Sequence, residues 1–114
     1  MIDCLFCKIA TKKIPSSIVY EDEKIFAFND INPQAPIHIL IIPKEHIERT
    51  YDIDRSHFSL LGEMFLAANK LAKEKNIDQS GYRLVINCNP GAGQSVYHIH
   101  LHLLGGRQMK WPPG

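Results

Sequence analysis

At 114 residues, 45% of them hydrophobic and 22% charged, the chain has the size and balance of one soluble globular domain with one core. Thirteen Lys and Arg oppose twelve Asp and Glu, and the formal net charge of +1 leaves no basic patch for a nucleic-acid backbone, although a single nucleotide stays compatible. No apolar run approaches the roughly 20 residues of a bilayer span, and Asp3 and Lys8 interrupt any signal-peptide core. The expectation is a cytoplasmic protein, one domain over residues 1–114, with neither membrane nor nucleic acid as partner.

In chain order, Cys4 to about Ala10 reads as a short helix with Asp3 as its N-cap, closed off by Pro15. Ile18-Val19-Tyr20 and Ile25-Phe26-Ala27-Phe28 read as strands joined by a charged hairpin turn at Glu21–Lys24. Asp30–Pro36 holds two prolines and reads as a loop; His38–Ile42 is a β-rich run stopped by Pro43. Asp54 to about Lys75 is the one long helix, with Phe58, Leu61, Phe65, Ala68 and Ala72 at the spacings of a buried face. His57 sits on it and is expected to face solvent. Tyr82–Asn87 is another strand. A polar, glycine-containing stretch from Asn89 to Ser95 leads into a last strand, and the tail after Gly105 has little reason to be regular. The sum is an α+β fold with about five mostly antiparallel strands, one long and one short helix, because most links are too short for a crossover.

Two patterns carry chemistry. Cys4 and Cys7 form a C-x-x-C pair that can be read as a redox pair, half of a zinc site, or two buried small residues. The redox reading is the weakest, for lack of a βαβ context. The stronger pattern is His98-Ile99-His100-Leu101-His102. Side chains alternate along a strand, so the three imidazoles share one face while Ile99, Leu101 and Leu103 pack on the other. The outer pair, about 13 Å apart at Cα, cannot both reach one ion at bonds of roughly 2 Å. Two neighbours could share a metal. Alternatively, the middle ring could attack phosphorus as a neutral imidazole while a flanking ring donates to phosphate oxygens. Gly91-Ala92-Gly93-Gln94-Ser95, just before the row, offers small residues and backbone N–H groups that suit a phosphate.

Gln94-Ser95-Val96-Tyr97-His98-Ile99-His100-Leu101-His102-Leu103-Leu104 resembles the signature of the histidine-triad family. Phe28-Asn29-Asp30-Ile31, Pro33-Gln34-Ala35-Pro36 and His38–Lys44 are similar to the other half of that family's nucleotide pocket. The tail Gly105–Met109 with Trp111-Pro112-Pro113-Gly114 resembles its Hint branch of nucleotide-binding proteins. The resemblance implies a homodimeric hydrolase of purine nucleoside 5′-phosphoramidates, acting on AMP- or GMP-type substrates through a nucleotidyl-histidine. It implies His100 as nucleophile, His102 and Ser95 on the α-phosphate, and His38 beside them as a further catalytic residue. Asn87 would line the site, Gly93 and Gln94 would form the phosphate loop, Asp30 would hold the ribose hydroxyls, and Phe28 and Ile31 would flank the base. Trp111 would approach the partner's site. Family members with a similar Cys-x-x-Cys imply a structural zinc ion held by Cys4, Cys7, His46 and His98. An AMP-binding sensor with negligible turnover, and a dinucleoside polyphosphate hydrolase of a sister branch, are the alternative readings.

Overall fold

The computed structural model describes residues 3–114. Five strands form one sheet: β1 (Ile18–Glu21), β2 (Ile25–Asn29), β3 (Ile37–Pro43), β4 (Tyr82–Val85) and β5 (Leu101–Gly105). Their order is β1-β2-β3-β5-β4 and every neighbouring pair is antiparallel. With a short helix α1 (Leu5–Ala10) and a long helix α2 (Phe58–Glu74), this is the expected α+β class. Asp22 makes the first hairpin, its Oδ1 accepting from the backbone N–H of both Lys24 and Ile25 at 2.8 Å. β2 and β3 are apolar almost throughout because both faces of the sheet are covered.

The two faces have different covers. Ile25, Ala27, Ile39, Ile41, Ile99, Leu101 and Leu103 point toward α2, whose Leu60, Met64, Ala67, Ala68, Leu71 and Ala72 complete the larger core. Phe26, Phe28, Leu40 and Ile42 point the other way and pack against Phe6, Ile9 and Ala10 of α1. The rings of His98 and His100 also meet Phe6 on this second face.

Several elements differ from the sequence expectation. The expected face of α2 is correct at Ala68 and Ala72, but Phe58 and Phe65 are exposed and Leu60, Met64 and Leu71 are buried instead. The helix carries two overlapping apolar stripes, and the one flanked by small alanines lets it approach the sheet closely. Asp54 caps a separate 3-10 turn, Arg55–His57, through the Ser56 N–H, and α2 starts only at Phe58. His57 does not face solvent freely: its side chain is 12% exposed, Nδ1 accepts from the Asp54 N–H at 3.0 Å and Nε2 lies 3.1 Å from Glu45. The N-cap of α1 is Cys4 rather than Asp3, its Sγ accepting from the Cys7 N–H at 3.4 Å, while Asp3 pairs with Lys8. β4 stops at Val85, short of Asn87. β5 begins at Leu101, so only His102 of the three histidines lies in the ladder. The chain before it bends over residues 96–98 and is bonded elsewhere, with Ile99 N–H donating to Ile47 O at 2.7 Å. The side chains alternate all the same: Ile99 packs in the core under α2, whereas the rings of His98 and His100 meet Phe6 on the other face.

Candidate functional site

A cavity of about 280 Å³ opens on the second face, lined by Phe28, Asp30, Ile31 and Leu40 from the β2–β3 side, Leu5, Phe6 and Ile9 from α1, and Ser95, Val96, His100 and His102. Its walls are apolar and its floor carries imidazoles, the usual layout of a small-ligand site. Ile31 is 99% exposed at the rim. The α1 wall has no counterpart in the sequence reading of the site. Its signal was Phe6 lying between the two cysteines, at helical spacing from Ile9 and Ala10.

Antiparallel pairing of β3 with β5 sets Leu40 opposite His102 and His38 opposite Leu104, so His38 and His102 are diagonal neighbours on the cavity face. The Gln34 N–H donates to His38 Nδ1 at 3.0 Å. His38 Nε2 lies 2.9 Å from His102 Nδ1 and 3.4 Å from Asp30 Oδ2. Asp30 Oδ1 accepts from the Asn32 N–H, which fixes the carboxylate. Among the described residues, His102 Nε2 is a buried side-chain nitrogen without a hydrogen-bond partner.

His100 is 6% exposed and stands edge-on to Phe6, ring centroids 5.0 Å apart. Its Nδ1 lies 2.8 Å from the His98 carbonyl. A carbonyl only accepts, so Nδ1 carries the proton and Nε2 keeps its lone pair. Burial lowers the His100 pKa and, with the neighbouring rings, pushes His102 down to about 4, so both are neutral near pH 7.

The glycine-containing stretch is a tight turn over Pro90–Ala92, with Gly93 at φ 96° closing it. Gln94 is 3% exposed and acts as an internal brace. Its Nε2 donates to the carbonyls of Glu48 and Val96, its Oε1 accepts from the Asn89 N–H, and its own N–H donates to Asn89 O. These polar groups are spent on loop shape rather than left open for a ligand. Ser95 is exposed at the cavity edge, Asn87 is half-buried, and Trp111 is 83% exposed on the tail.

Behind His100 the chain assembles a second cluster from Cys4, Cys7, His46 and His98. Zinc bonds of about 2.3 Å to sulfur and 2.05 Å to nitrogen put tetrahedral S–N edges at ~3.6 Å and the N–N edge at ~3.3 Å. The observed S–N separations are 3.4 Å for Cys4–His98, 3.4 Å for Cys7–His46 and 3.5 Å for Cys7–His98, and the two Nδ1 atoms are 3.3 Å apart. His98 is fully buried, and its Nε2–H donates to the Pro43 carbonyl at 2.6 Å, which turns the bare Nδ1 toward the sulfurs. Burial pushes His98 down to about 4, leaving it in the neutral form a ligand needs. Burial and the neighbouring Cys4 sulfur push the Cys7 thiol up to about 11, the cost of holding a thiolate there with no cation. The residues fit a closed, four-ligand zinc site.

Residues 3–111 match the family model described as "Scavenger mRNA decapping enzyme C-term binding". The structure also superposes on a HIT family hydrolase from Legionella pneumophila with a TM-score of 0.97 and 57% identity, covering 98% of this chain and 100% of that one. The chain belongs to the histidine-triad (HIT) family. Other HIT-fold relatives span comparable lengths. A histidine triad nucleotide-binding protein from Candida albicans aligns with a TM-score of 0.82 at 34% identity, over 96% of this chain and 83% of that chain. A "14 kDa zinc-binding protein" of Brassica juncea is 50% identical over 114 residues, covering 98% of this chain and 100% of its own length. His98, His100 and His102 sit together on one face, the first two against Phe6 and the third beside His100.

Proposed function

We propose that this HIT protein hydrolyses purine nucleoside 5′-phosphoramidates to a nucleoside monophosphate and an amine, through a nucleotidyl-histidine on His100. The observation that carries the reading is the state of that ring. It is buried, neutral, and pinned by the His98 carbonyl so that Nε2 presents a lone pair beside a nucleotide-sized cavity. Phe28, Leu40 and Ile31 supply the apolar slot for a base, and Asp30 supplies acceptors for the ribose hydroxyls. Gly93 and Gln94 hold the turn that brings Ser95 and Asn87 toward the phosphate.

In the first displacement the His100 Nε2 lone pair bonds phosphorus, and the P–N bond breaks with its electron pair staying on nitrogen. The departing nitrogen must be protonated to leave as an amine. Ser95, in contact with solvent, passes it a proton drawn from water. In the second displacement water attacks phosphorus and gives up a proton to the solvent, replacing the one spent on the amine, while the P–His100 bond breaks with its electron pair returning to Nε2 and the ring becomes neutral again. Cys4, Cys7, His46 and His98 would hold zinc as a structural ion that ties α1 to the catalytic segment, outside the reaction itself. Two copies of the chain form the working unit in this reading. The open edge of β4, the exposed Phe65 and Leu66 of α2, and the projecting Trp111 favour it.

The test is His100→Ala against an adenosine 5′-phosphoramidate, with intact-mass analysis of the wild type in a single turnover. A mass increase of one nucleotidyl group that is lost with the alanine, together with turnover, is expected. Undiminished amine release from His100→Ala would refute the route. Binding of AMP with neither adduct nor turnover would favour a sensor instead.

A further inference from the structure

We propose that Arg49 is a positioning residue for the reaction: it clamps Asn89 and Tyr97, one on either side of Ser95, and so fixes the turn that holds the Ser95 hydroxyl beside the departing nitrogen. The inference rests on the phosphoramidase reading above and extends it to a residue outside the cavity.

The turn before Ser95 starts from a strained residue. Asn89 has φ 69° and ψ 167°, a combination that glycine enters freely and a residue with a Cβ enters only under constraint. Pro90 explains the extended ψ, because the residue before a proline avoids the helical region. It does not explain the positive φ. Hydrogen bonds supply that constraint. The Asn89 N–H donates to Gln94 Oε1 at 2.7 Å, and the Asn89 carbonyl accepts from the N–H groups of Ala92 and Gln94 at 3.1 Å each. These three bonds lie inside the turn and move with it. The fourth comes from outside: Arg49 Nε donates to Asn89 Oδ1 at 2.8 Å, from 40 residues away in the chain. Gln94 Nε2 in turn donates to the Glu48 carbonyl at 2.7 Å. Two neighbouring residues of the segment after β3 therefore hold the two ends of the turn.

Arg49 also reaches the far side of Ser95. Its guanidinium carbon lies 4.7 Å from the centre of the Tyr97 ring, a cation–π distance, and 5.9 Å from that of Tyr51. Ser95 itself is exposed at the cavity edge, so its place is set by the chain before and after it. Arginine suits the task because its planar fork donates through Nε while its face stacks on an aromatic ring; a lysine ammonium has neither the plane nor the fork. The Glu48 carboxylate, 3.4 Å from Arg49 Nη1 and half exposed, adds little to this arrangement.

The consequence for chemistry depends on the leaving group. An amine must be protonated to depart, whereas a nitrophenolate leaves as a stable anion with the electron pair of its P–O bond. A slipped turn therefore slows a phosphoramidate and spares an ester. Arg49→Met keeps the side-chain length and removes the donor and the charge. It should lower kcat for an adenosine 5′-phosphoramidate by ~10²-fold, the cost of a misplacement of about 1 Å. For the 4-nitrophenyl ester of AMP, which needs no proton donor, the loss should stay below about threefold. Ser95→Ala should show the same split, and adding Arg49→Met to it should cost little more. The decisive variant combines Arg49→Met with Asn89→Gly. Glycine holds a positive φ without a clamp, so the pair should recover most of the lost kcat and have a higher urea midpoint than Arg49→Met alone. If Arg49→Met does not fold, Arg49→Lys takes its place, with the same split expected. Equal losses on both substrates, full phosphoramidate turnover by Arg49→Met, or no recovery with Asn89→Gly would overturn the proposal. A wild type that turns over neither substrate sinks the phosphoramidase reading instead, while the urea midpoints, needing no turnover, still decide whether Arg49 restrains a strained Asn89.

Discussion

Zinc occupancy should be readable directly as stability, and Cys7 is the place to break it. Cys7 contributes two of the near-tetrahedral S–N edges, at 3.4 and 3.5 Å, and sits in the first turn of α1, so its ligation ties that helix to His46 and His98. A ligand that binds only the folded chain adds about 2.7 kcal/mol at 100 times its Kd and about 4.1 at 1,000 times. With an unfolding entropy of about 2.1 cal/mol/K per residue, a chain of 114 residues loses or gains about 4 °C of Tm per kcal/mol. Saturating zinc should therefore raise Tm by roughly 10–17 °C over chelator-treated protein. Cys7→Ser replaces a thiolate with a poor ligand and should reduce the shift to about 3 °C or less. Uptake of the ion should also release protons at pH 7, since the Cys7 thiol, held up to about 11 by burial and by Cys4, must give its proton up to bind. Thermal melts with zinc and with chelator, metal content per chain, and calorimetry in two buffers of different ionisation enthalpy cover these points. A wild type whose Tm ignores zinc, or equal shifts in wild type and Cys7→Ser, would refute the reasoning that these four side chains form one metal site.

The acid limb of stability should carry a signature of His102. Burial first, then the neighbouring rings, pushes its pKa to about 4, while in the unfolded chain it titrates near 6.5. Between those values the unfolded chain binds the extra proton, so stability rises with pH across the window and falls as pH drops, by on the order of 3 kcal/mol for a shift of this size. Urea midpoints at pH 7.5 and pH 4.5 should differ more for wild type than for His102→Asn; matching differences would remove His102 as the cause. Gly105 closes β5 where a Cβ would come within 2.5 Å of Ile77 Cδ1 and 3.2 Å of Ile77 Cβ. Gly105→Ala should cost about 1–3 kcal/mol by overpacking, and an unchanged denaturant midpoint would contradict that. Phe6→Ala opens the wall shared by Phe28 and His100 and should cost about 3–5 kcal/mol; a loss below about 1 kcal/mol would mean that α1 is not packed there.

The sheet and the triad were legible because both rest on a period of two, which apolar alternation states directly. One hairpin turn at Glu21–Lys24 and a short loop with two prolines likewise made the first three strands antiparallel neighbours. The phase of α2 was not legible. Phe58-Leu61-Phe65 and Leu60-Met64-Ala67-Leu71 both satisfy helical spacing, and bulk alone favours the phenylalanines; the close approach to β3 and β5 selects the stripe with small residues. Gln94 reads in sequence as part of a phosphate loop, yet its amide is consumed by Glu48 and Asn89, and Glu48 is distant in the chain. The least legible group is the Gln34 N–H. It is a backbone atom in a proline-flanked loop, and no residue type announces which way it points.

Strand alternation by itself delivers three equivalent imidazoles to one face; it does not tell them apart. What differs is the partner behind each ring. A neutral imidazole has one proton, so a partner able only to accept, or only to donate, decides which nitrogen faces outward bare. The Pro43 carbonyl does this for His98 and the His98 carbonyl does it for His100, leaving one lone pair on the cysteine cluster and one on the cavity. His102 has a side chain, His38, in that place; the Gln34 N–H leaves His38 Nδ1 bare, so its Nε2–H donates and the polarity is reversed. Side-chain replacement at Pro43 or His98 leaves the two carbonyls present, whereas a single change at His38 removes the partner of His102. Among the three rings, His102 is thus the one whose tautomer a point substitution can release, and for that reason a variant at His38, rather than within the triad, separates the duties of the three histidines.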